Sequence, residues 1–174
     1  MKQIKKCISK LLLITSKALR SKSYMKKYNA FLRNCGLDIN GNVKYIHSSV
    51  YIDIAYGQHI HMGNGCVISV NSIVLAHDFS VECGLNSIGL GDINNEKKIV
   101  KDVYIGNNVF IGCGCIILPG TRIGDNCIIG AGTVCSGKIP SNSIVVGEKC
   151  KVIDSTTDWA KEKVSEYGAL WNIQ

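Results

Sequence analysis

Hydrophobic positions recur every six residues through the second half of the chain. Counting by six from Ile105 meets an isoleucine five times in succession and then Cys135. A glycine directly follows most of these isoleucines, and a small or β-branched residue stands four places after each of them. The five units read IGNNVF, IGCGCI, ILPGTR, IGDNCI and IGAGTV. An amphipathic helix repeats every 3.6 residues and a half-buried strand every two, so neither explains a period of six.

A period of six predicts a triangular solenoid in which each hexapeptide supplies one short flat side and one corner. The aliphatic residue fills the interior, and the small residue four places later fits the tight inside of the corner. Gly, Asn and Asp between them accept turn conformations that β-branched residues resist. Three hexapeptides would make one coil, and coils would stack about 4.8 Å apart, the spacing between strands of a sheet.

The same period is visible earlier in the chain, from Met62 to Phe79, but it fails between residues 79 and 101. That stretch is too long for a corner and too polar at its end for a side. We therefore predict a loop over 79–101 that is extruded from a solenoid spanning residues 38–153. Long loops of this kind are usually functional.

Both ends of the chain have helical patterns. Residues 3–33 carry an apolar stripe at helical spacing, with lysine and arginine at most other positions. We expect residues 1–37 to form a basic amphipathic helical arm, which either only caps the solenoid or also contacts a membrane surface. Residues 154–174 are expected to hold a short C-terminal helix that starts near Thr157 and ends near Tyr167.

Charge divides the chain into two parts. Its 174 residues include 20 lysines and arginines against 13 acidic residues, a formal net charge of +7. Residues 1–37 hold ten of the basic residues and no acidic one, so the rest is mildly acidic. This asymmetry argues against a nucleic-acid partner, but it favours contact between the arm and anionic lipid at the inner face of a membrane. No apolar run approaches the ~20 residues needed to cross a bilayer.

Nine cysteines suggest a disulfide framework at first sight. The repeat explains several of them, because Cys66, Cys115 and Cys127 fall on the small inner position, where a thiol acts as an apolar filler. We therefore predict reduced thiols and a cytoplasmic location. His59 and His61 alternate along one segment, but no third histidine stands at suitable spacing in the regular coils, so we predict no metal site.

Two stretches of the sequence carry a family resemblance. The first is YIDIAYGQHIHMGNGCVIS with the LAHDFS that follows it, and the second runs from YIGNNVF to GEKCKVI. They resemble the hexapeptide-repeat acetyltransferases, especially the galactoside, maltose and polysaccharide O-acetyltransferases, which include enzymes acting on capsules and sialic acid. The resemblance implies a mainly β fold, a left-handed parallel β-helix, and a homotrimer with active sites between subunits. It also implies direct acetyl transfer from acetyl-CoA to a hydroxyl of a sugar or a cell-surface polysaccharide precursor. The charge of the arm would suit a lipid-linked glycan as acceptor.

The resemblance also implies which residues form the site. Family members use a histidine near the start of the extruded loop as general base, and His77 stands there. An imidazole can take the proton of a sugar hydroxyl as the oxygen attacks a thioester. Asp78 would orient that ring or close the turn after it. Asp53, Ser69 and Asn71 are the candidates for holding the acceptor or the imidazole.

The cofactor positions that the resemblance implies lie in the later coils. Small residues there would let the pantetheine arm approach the backbone, and lysines would meet the phosphates of CoA. The candidates are Phe110, Gly112, Gly114, Gly130, Ala131, Ser136, Lys138 and Lys151. The sequence leaves open three alternatives: an N-acetyltransferase acting on an amino sugar or a drug, a non-catalytic trimeric scaffold, and a metal-dependent hydratase.

Overall fold

The computed structural model describes residues 23–87, 94, 96–147, 151–155 and 158. Within them, short strands wind into three sheets that form the sides of a prism. The predicted arm before residue 23 and most of the predicted C-terminal helix lie outside the described residues, and the domain boundaries stay predictions.

Helices are few and strands are short in the described chain. The helices are α1 (Tyr24–Asn34) and α2 (Ser80–Ser87), with a 3₁₀ helix at Ile54–His59. The strands are β1 (Asp38–Ile39), β2 (Tyr45–Ile46), β3 (Tyr51–Ile52), β4 (Ile60–Met62), β5 (Val67–Ile68), β6 (Ile73–Val74), β7 (His77–Asp78), β8 (Ile99–Val100), β9 (Val103–Ile105), β10 (Phe110–Ile111), β11 (Ile116–Ile117), β12 (Arg122–Ile123), β13 (Ile128–Ile129), β14 (Val134–Cys135), β15 (Lys138–Ile139), β16 (Ser143–Val146) and β17 (Lys151–Ser155).

The strand order confirms a mainly β solenoid. The first sheet runs β1-β4-β9-β12-β15, the second β17-β16-β13-β10-β5-β2 and the third β14-β11-β6-β3. Neighbouring strands are parallel, apart from the antiparallel β16 and β17. In the later coils Tyr104 lies opposite Arg122 and Phe110 lies opposite Ile128, so one coil takes 18 residues, as three hexapeptides predict.

The interior of the prism is lined by the residues that recur with period six. Ile111, Ile117 and Ile129 expose none of their surface. The small residues four places after each aliphatic residue are at most 1% exposed: Val109, Cys115, Thr121, Cys127 and Thr133. The predicted interior positions are therefore confirmed, and each coil shields the apolar side chains of the next.

The inner cysteines are packing residues. Cys66, Cys115 and Cys127 are fully buried, as is Cys135. Burial raises the pKa of the first three thiols and so keeps them protonated. The Cys115 thiol donates to the Gly130 carbonyl at 3.0 Å, which satisfies it inside the core. The seven cysteines that lie among the described residues are free thiols.

Helix α1 closes the start of the prism. Its Leu32 is completely buried, and the Asn29 side chain, 2% exposed, binds both backbone groups of Val43. The amide donates to the Val43 carbonyl at 3.0 Å and its oxygen accepts the Val43 N–H at 2.9 Å. A buried amide that is satisfied in this way fixes the helix on the first coil.

The repeat is interrupted once the chain has left β6. His61 lies opposite Tyr104, which is 43 residues further along and not 18, so the extra residues are inserted between these coils. The chain departs through β7, forms α2, and returns through β8, which pairs antiparallel with β7. The predicted extruded segment is therefore present, but its described part contains a helix and a strand ladder that the sequence pattern did not predict.

Candidate active site

His77 lies where the chain leaves the third sheet. Ala76, which is fully buried, holds the departing chain against the coil. Lys101 donates its backbone N–H to the Ala76 carbonyl at 3.0 Å where the chain returns. This hydrogen bond and the β7–β8 ladder close the base of the segment, so the backbone of His77 is fixed although it stands at the start of an excursion.

A buried carboxylate from the preceding coil holds the imidazole of His77. The Asp53 side chain is 1% exposed, and its Oδ2 contacts His77 Nδ1 and accepts the Ala76 backbone N–H, the latter at 3.3 Å. An ionised carboxylate can only accept hydrogen bonds, so the proton of the neutral ring lies on Nδ1. Nε2 then carries the lone pair that a general base needs.

Two aromatic rings frame the imidazole. The Tyr56 ring, from the 3₁₀ helix, lies 4.4 Å from the His77 ring between centroids, and the Phe79 ring lies 5.1 Å away in an edge-on arrangement. Phe79 is 42% exposed and the His77 side chain 20% exposed. The imidazole is therefore held on its Nδ1 side yet remains accessible from solvent.

Asp78 contacts the turn after His77 and not the imidazole. Its exposed carboxylate accepts the Ser80 backbone N–H at 2.7 Å, at the start of α2. This hydrogen bond is the main cause that lowers the pKa of the Asp78 carboxyl. Of the two roles expected for Asp78, the geometry matches closure of the turn, whereas Asp53 makes the contact with the ring.

The other candidate residues divide between two edges of the prism. The His77 edge joins the third and first sheets and consists of residues 75–77, 118–121 and 136–137. The glycine edge joins the second and third sheets and consists of residues 69–72, 112–115 and 130–133. Ser136 therefore shares an edge with His77. Six candidates lie on the glycine edge instead: Ser69, Asn71, Gly112, Gly114, Gly130 and Ala131.

The glycines of the glycine edge have reasons of their own to be glycine. A Cβ on Gly112 would lie 2.6 Å from the Ala131 backbone nitrogen, so close stacking of two coils excludes any side chain there. Gly114 has open space around it but a φ of +67°, which L-residues rarely adopt. Close backbone approach along this edge follows from the coil geometry, whether or not a ligand uses it.

Comparison with known proteins identifies the repeat. The family model described as "Bacterial transferase hexapeptide (six repeats)" matches residues 102–137. The chain is 28% identical over 170 residues to the galactoside O-acetyltransferase of Escherichia coli (strain K12), covering 83% of this chain and 82% of that protein. The chain therefore carries the hexapeptide repeat and is similar along most of its length to a hexapeptide-repeat O-acetyltransferase.

Solved structures of this family share the fold. A galactoside acetyltransferase in complex with coenzyme A matches with a TM-score of 0.61 and 25% identity, over 92% of this chain and 84% of that chain. A maltose O-acetyltransferase from Clostridium difficile 630 matches with a TM-score of 0.56 and 27% identity, over 77% of each chain. The prism is accordingly the left-handed parallel β-helix of the family.

The remaining cofactor candidates lie outside the two edges. Phe110 is 44% exposed on the outer face of the second sheet, and Lys138 is exposed at the start of β15 in the first sheet. Lys151 begins β17, the outermost strand of the second sheet. They therefore lie on two faces of the prism.

His59 and His61 occupy the outer face of the first sheet. His59 Nδ1 lies 2.7 Å from Asp102 Oδ1, and His61 Nδ1 lies 3.1 Å from Asp38 Oδ2. His61 also stacks on Tyr104 with ring centroids 4.3 Å apart.

Among the described residues, no three His, Cys, Asp or Glu side chains group closely enough to hold a metal ion. In the same part of the chain, no helix has the length and apolar character that crossing a membrane requires.

Three residues around the imidazole were not predicted from the sequence: Phe79, Tyr56 and Lys98. Phe79 could have been predicted from its position, because residues i and i+2 of an extended segment share a face and Phe79 stands two residues after His77. Tyr56 comes from an earlier coil and Lys98 from the far end of the insertion. Neither has a spacing to His77 that a repeat could reveal.

Proposed function

We propose that the protein transfers the acetyl group of acetyl-CoA directly to a hydroxyl of a sugar, with His77 as general base. The observation that carries this proposal is the His77–Asp53 pair, in which a buried carboxylate sets the tautomer of an accessible imidazole. Similarity to known proteins supports the donor and the acceptor, since one relative is a galactoside O-acetyltransferase and one structural neighbour holds coenzyme A.

The chemistry follows from the two nitrogens of His77. Nε2 takes the hydroxyl proton as the sugar oxygen attacks the thioester carbonyl, and the resulting imidazolium is stabilised by the Asp53 carboxylate at Nδ1. The tetrahedral intermediate then breaks its C–S bond, and the CoA thiolate takes the proton from Nε2. The products are an acetyl ester and free CoA, and His77 returns to its starting state without a covalent enzyme intermediate.

Stabilisation of the oxyanion requires a preorganised donor. A backbone N–H of a coil turn is suited to this, because it costs no reorganisation when the charge develops. We assign this role to a turn residue of the glycine edge other than Gly112, Gly114 and Gly130, because those three N–H groups already donate to carbonyls of neighbouring coils. Ser69 and Asn71 lie on the same edge and would contact the acceptor.

A homotrimer would bring the two edges together. The His77 edge and the glycine edge are two different edges of one prism. A single copy therefore does not bring the proposed base next to the turns that are proposed to bind acetyl-CoA. A closed ring of three copies would face the His77 edge of one copy with the glycine edge of the next. Light scattering should give three times the chain mass of 18.9 kDa; a monomer with full activity would contradict this assembly.

CoA is proposed to run along the groove between two copies. Gly112, Gly114, Gly130 and Ala131 would receive the pantetheine, and four side chains further along would meet the nucleotide. Those side chains are Phe110, Ser136, Lys138 and Lys151. Lysine suits the phosphates because its ammonium is a strongly hydrated point charge with three donors.

The basic arm of residues 1–37 is proposed to contact the inner face of a membrane from the cytoplasm, near lipid-linked glycan precursors. Each basic residue near an anionic surface contributes about 1 kcal/mol. Flotation with vesicles containing phosphatidylglycerol tests the proposal: removal of residues 1–22 should abolish binding, and unchanged binding would contradict it.

Release of CoA thiol from acetyl-CoA, measured across a panel of neutral and acidic sugars, tests the function. We expect acceptor-dependent release and a product that is an alkali-labile ester. Release with amino sugars alone, giving an alkali-stable amide, would favour N-acetylation. If the protein shows no turnover and does not bind CoA, it is a scaffold.

A further inference from the structure

Lys98 belongs to the same side-chain cluster as His77. In the β7–β8 ladder His77 pairs with Val100 and Asp78 with Ile99, so the next step of the register sets Lys98 opposite Phe79. The Lys98 Nζ atom lies 5.7 Å from the Phe79 ring centroid and 5.3 Å from that of Tyr56. These are the two rings that frame the imidazole.

The ammonium of Lys98 is exposed, and no carboxylate among the described residues forms an ion pair with it. Within the described residues, the ion pairs are three His–Asp pairs, none of which involves Lys98. The acids around it have other hydrogen-bond donors. Asp53 binds His77, Asp78 binds the Ser80 N–H, and Glu82 accepts the Lys97 backbone N–H at 2.7 Å.

The rings orient this charge without neutralising it. A cation–π contact uses the faces of Tyr56 and Phe79, and it leaves N–H donors of the ammonium for an acceptor on the solvent side. Phe79 also offers an exposed apolar surface, as pockets for small polar molecules commonly do. An acceptor whose hydroxyl meets His77 Nε2 therefore has a fixed positive charge close to its other substituents.

We propose that Lys98 binds the anionic group of an acidic acceptor sugar, a carboxylate close to the hydroxyl that is acetylated. A neutral sugar offers the ammonium only hydroxyl groups, whereas a carboxylate adds the attraction between opposite charges to the hydrogen bond. The inference rests on the proposed function, because it names the substrate class of the same site. Lys98 acts on the choice of acceptor and takes no proton.

A matched pair of acceptors tests the proposal: methyl galactoside and methyl galacturonoside, which differ at C6 in a hydroxymethyl group against a carboxylate. We expect the protein to prefer the uronoside. In Lys98→Met, kcat/KM for the uronoside should fall about 10- to 100-fold, mainly through KM, with a much smaller loss for the galactoside. Lys98→Arg should keep the preference, and galactose 6-phosphate separates carboxylate from phosphate recognition.

Lys101→Met is the control for loss of one positive charge at the base of the insertion. The Lys101 side chain lies along Gly120, and its replacement should leave the preference intact. Equal losses on both acceptors in Lys98→Met would mean that Lys98 serves the base, which would overturn the proposal. A preference for the uronoside that is unchanged in Lys98→Met would also overturn it. If no sugar is acetylated, the proposed function fails. Saturation-transfer NMR of galacturonate with and without Lys98 then still decides whether the cation binds a sugar carboxylate.

Discussion

The molecule uses the same pair of residue types in two regions that differ in burial. At the His77 edge, Asp53 is 1% exposed and the His77 side chain 20% exposed; on the face of the first sheet, Asp102 is 41% exposed and His59 34% exposed. A buried carboxylate has no water to exchange for its partner, so it holds the ring in one orientation. An exposed pair competes with water and fixes little.

The interruption of the repeat explains why the two regions differ. On the first sheet the coils continue above and below, and outward side chains such as His61 and Asp38 stand on an ordinary outer surface, with Asp38 72% exposed. At His77 the departing chain folds over Asp53 and seals it through Ala76. The regular coils form a stable outer surface, and the interruption of the repeat buries the Asp53 carboxylate.

The largest expected effect is on the base itself. His77→Ala should lower kcat about 10²- to 10⁴-fold, the range that general base catalysis supplies. His59→Ala removes the same group from the surface pair and should change kcat by less than about twofold. Acceptor-dependent thiol release measures both. Comparable losses in the two variants would erase the distinction between the regions.

A smaller effect is expected at the carboxylates. Asp53→Asn keeps the size of the side chain, but its amide can donate to Nδ1 and so favours the wrong tautomer; kcat should fall about 10²-fold. The loss should appear in kcat more than in KM, because Asp53 is 1% exposed and contacts the ring of the base. Asp102→Asn is the matched control and should retain activity. An active Asp53→Asn would show that burial of this carboxylate has no catalytic consequence.

The smallest effect concerns the surface pair. The hydrogen bond from His59 is the main cause that lowers the pKa of the Asp102 carboxyl. A carboxyl whose pKa is lower in the folded chain than in the unfolded chain stabilises the fold above the unfolded pKa, about 3.9, and loses that contribution as the pH falls further. Carbon-13 NMR should give a lowered titration midpoint for Asp102 that rises in His59→Gln. An unchanged midpoint would contradict the contact.

The sequence predicted the regular coils better than the surroundings of His77. In a hexapeptide repeat each interior position recurs at a fixed spacing, so the six-residue period alone assigns Ile111 and Cys115 to the interior. The family resemblance implied His77 as the base, since it places a histidine at the start of the segment where the period fails. The contact between His77 and Asp53 joins adjacent coils in which the first is irregular, so no regular spacing connects them.

The position of Asp78 at the turn, one of its two expected roles, has a physical reason. Adjacent residues of a strand point to opposite sides, so the residue next to His77 is poorly placed to hold its ring. Asp78 instead accepts the Ser80 N–H, the common use of aspartate at a turn into a helix. Helix α2 was missed because it lies inside an insertion, where neither the six-residue period nor a long apolar stripe marks it.

The tautomer of His77 tests the central claim most directly. Long-range proton–nitrogen NMR on ¹⁵N-histidine-labelled protein, at a pH at which the ring is neutral, separates the two ring nitrogens by chemical shift. We expect Nδ1 to carry the proton and Nε2 the lone pair, with Asp53→Asn shifting the balance and Asp102→Asn leaving it unchanged. A His77 ring that is protonated at Nε2 would have no lone pair directed at an acceptor, and this result would contradict the account.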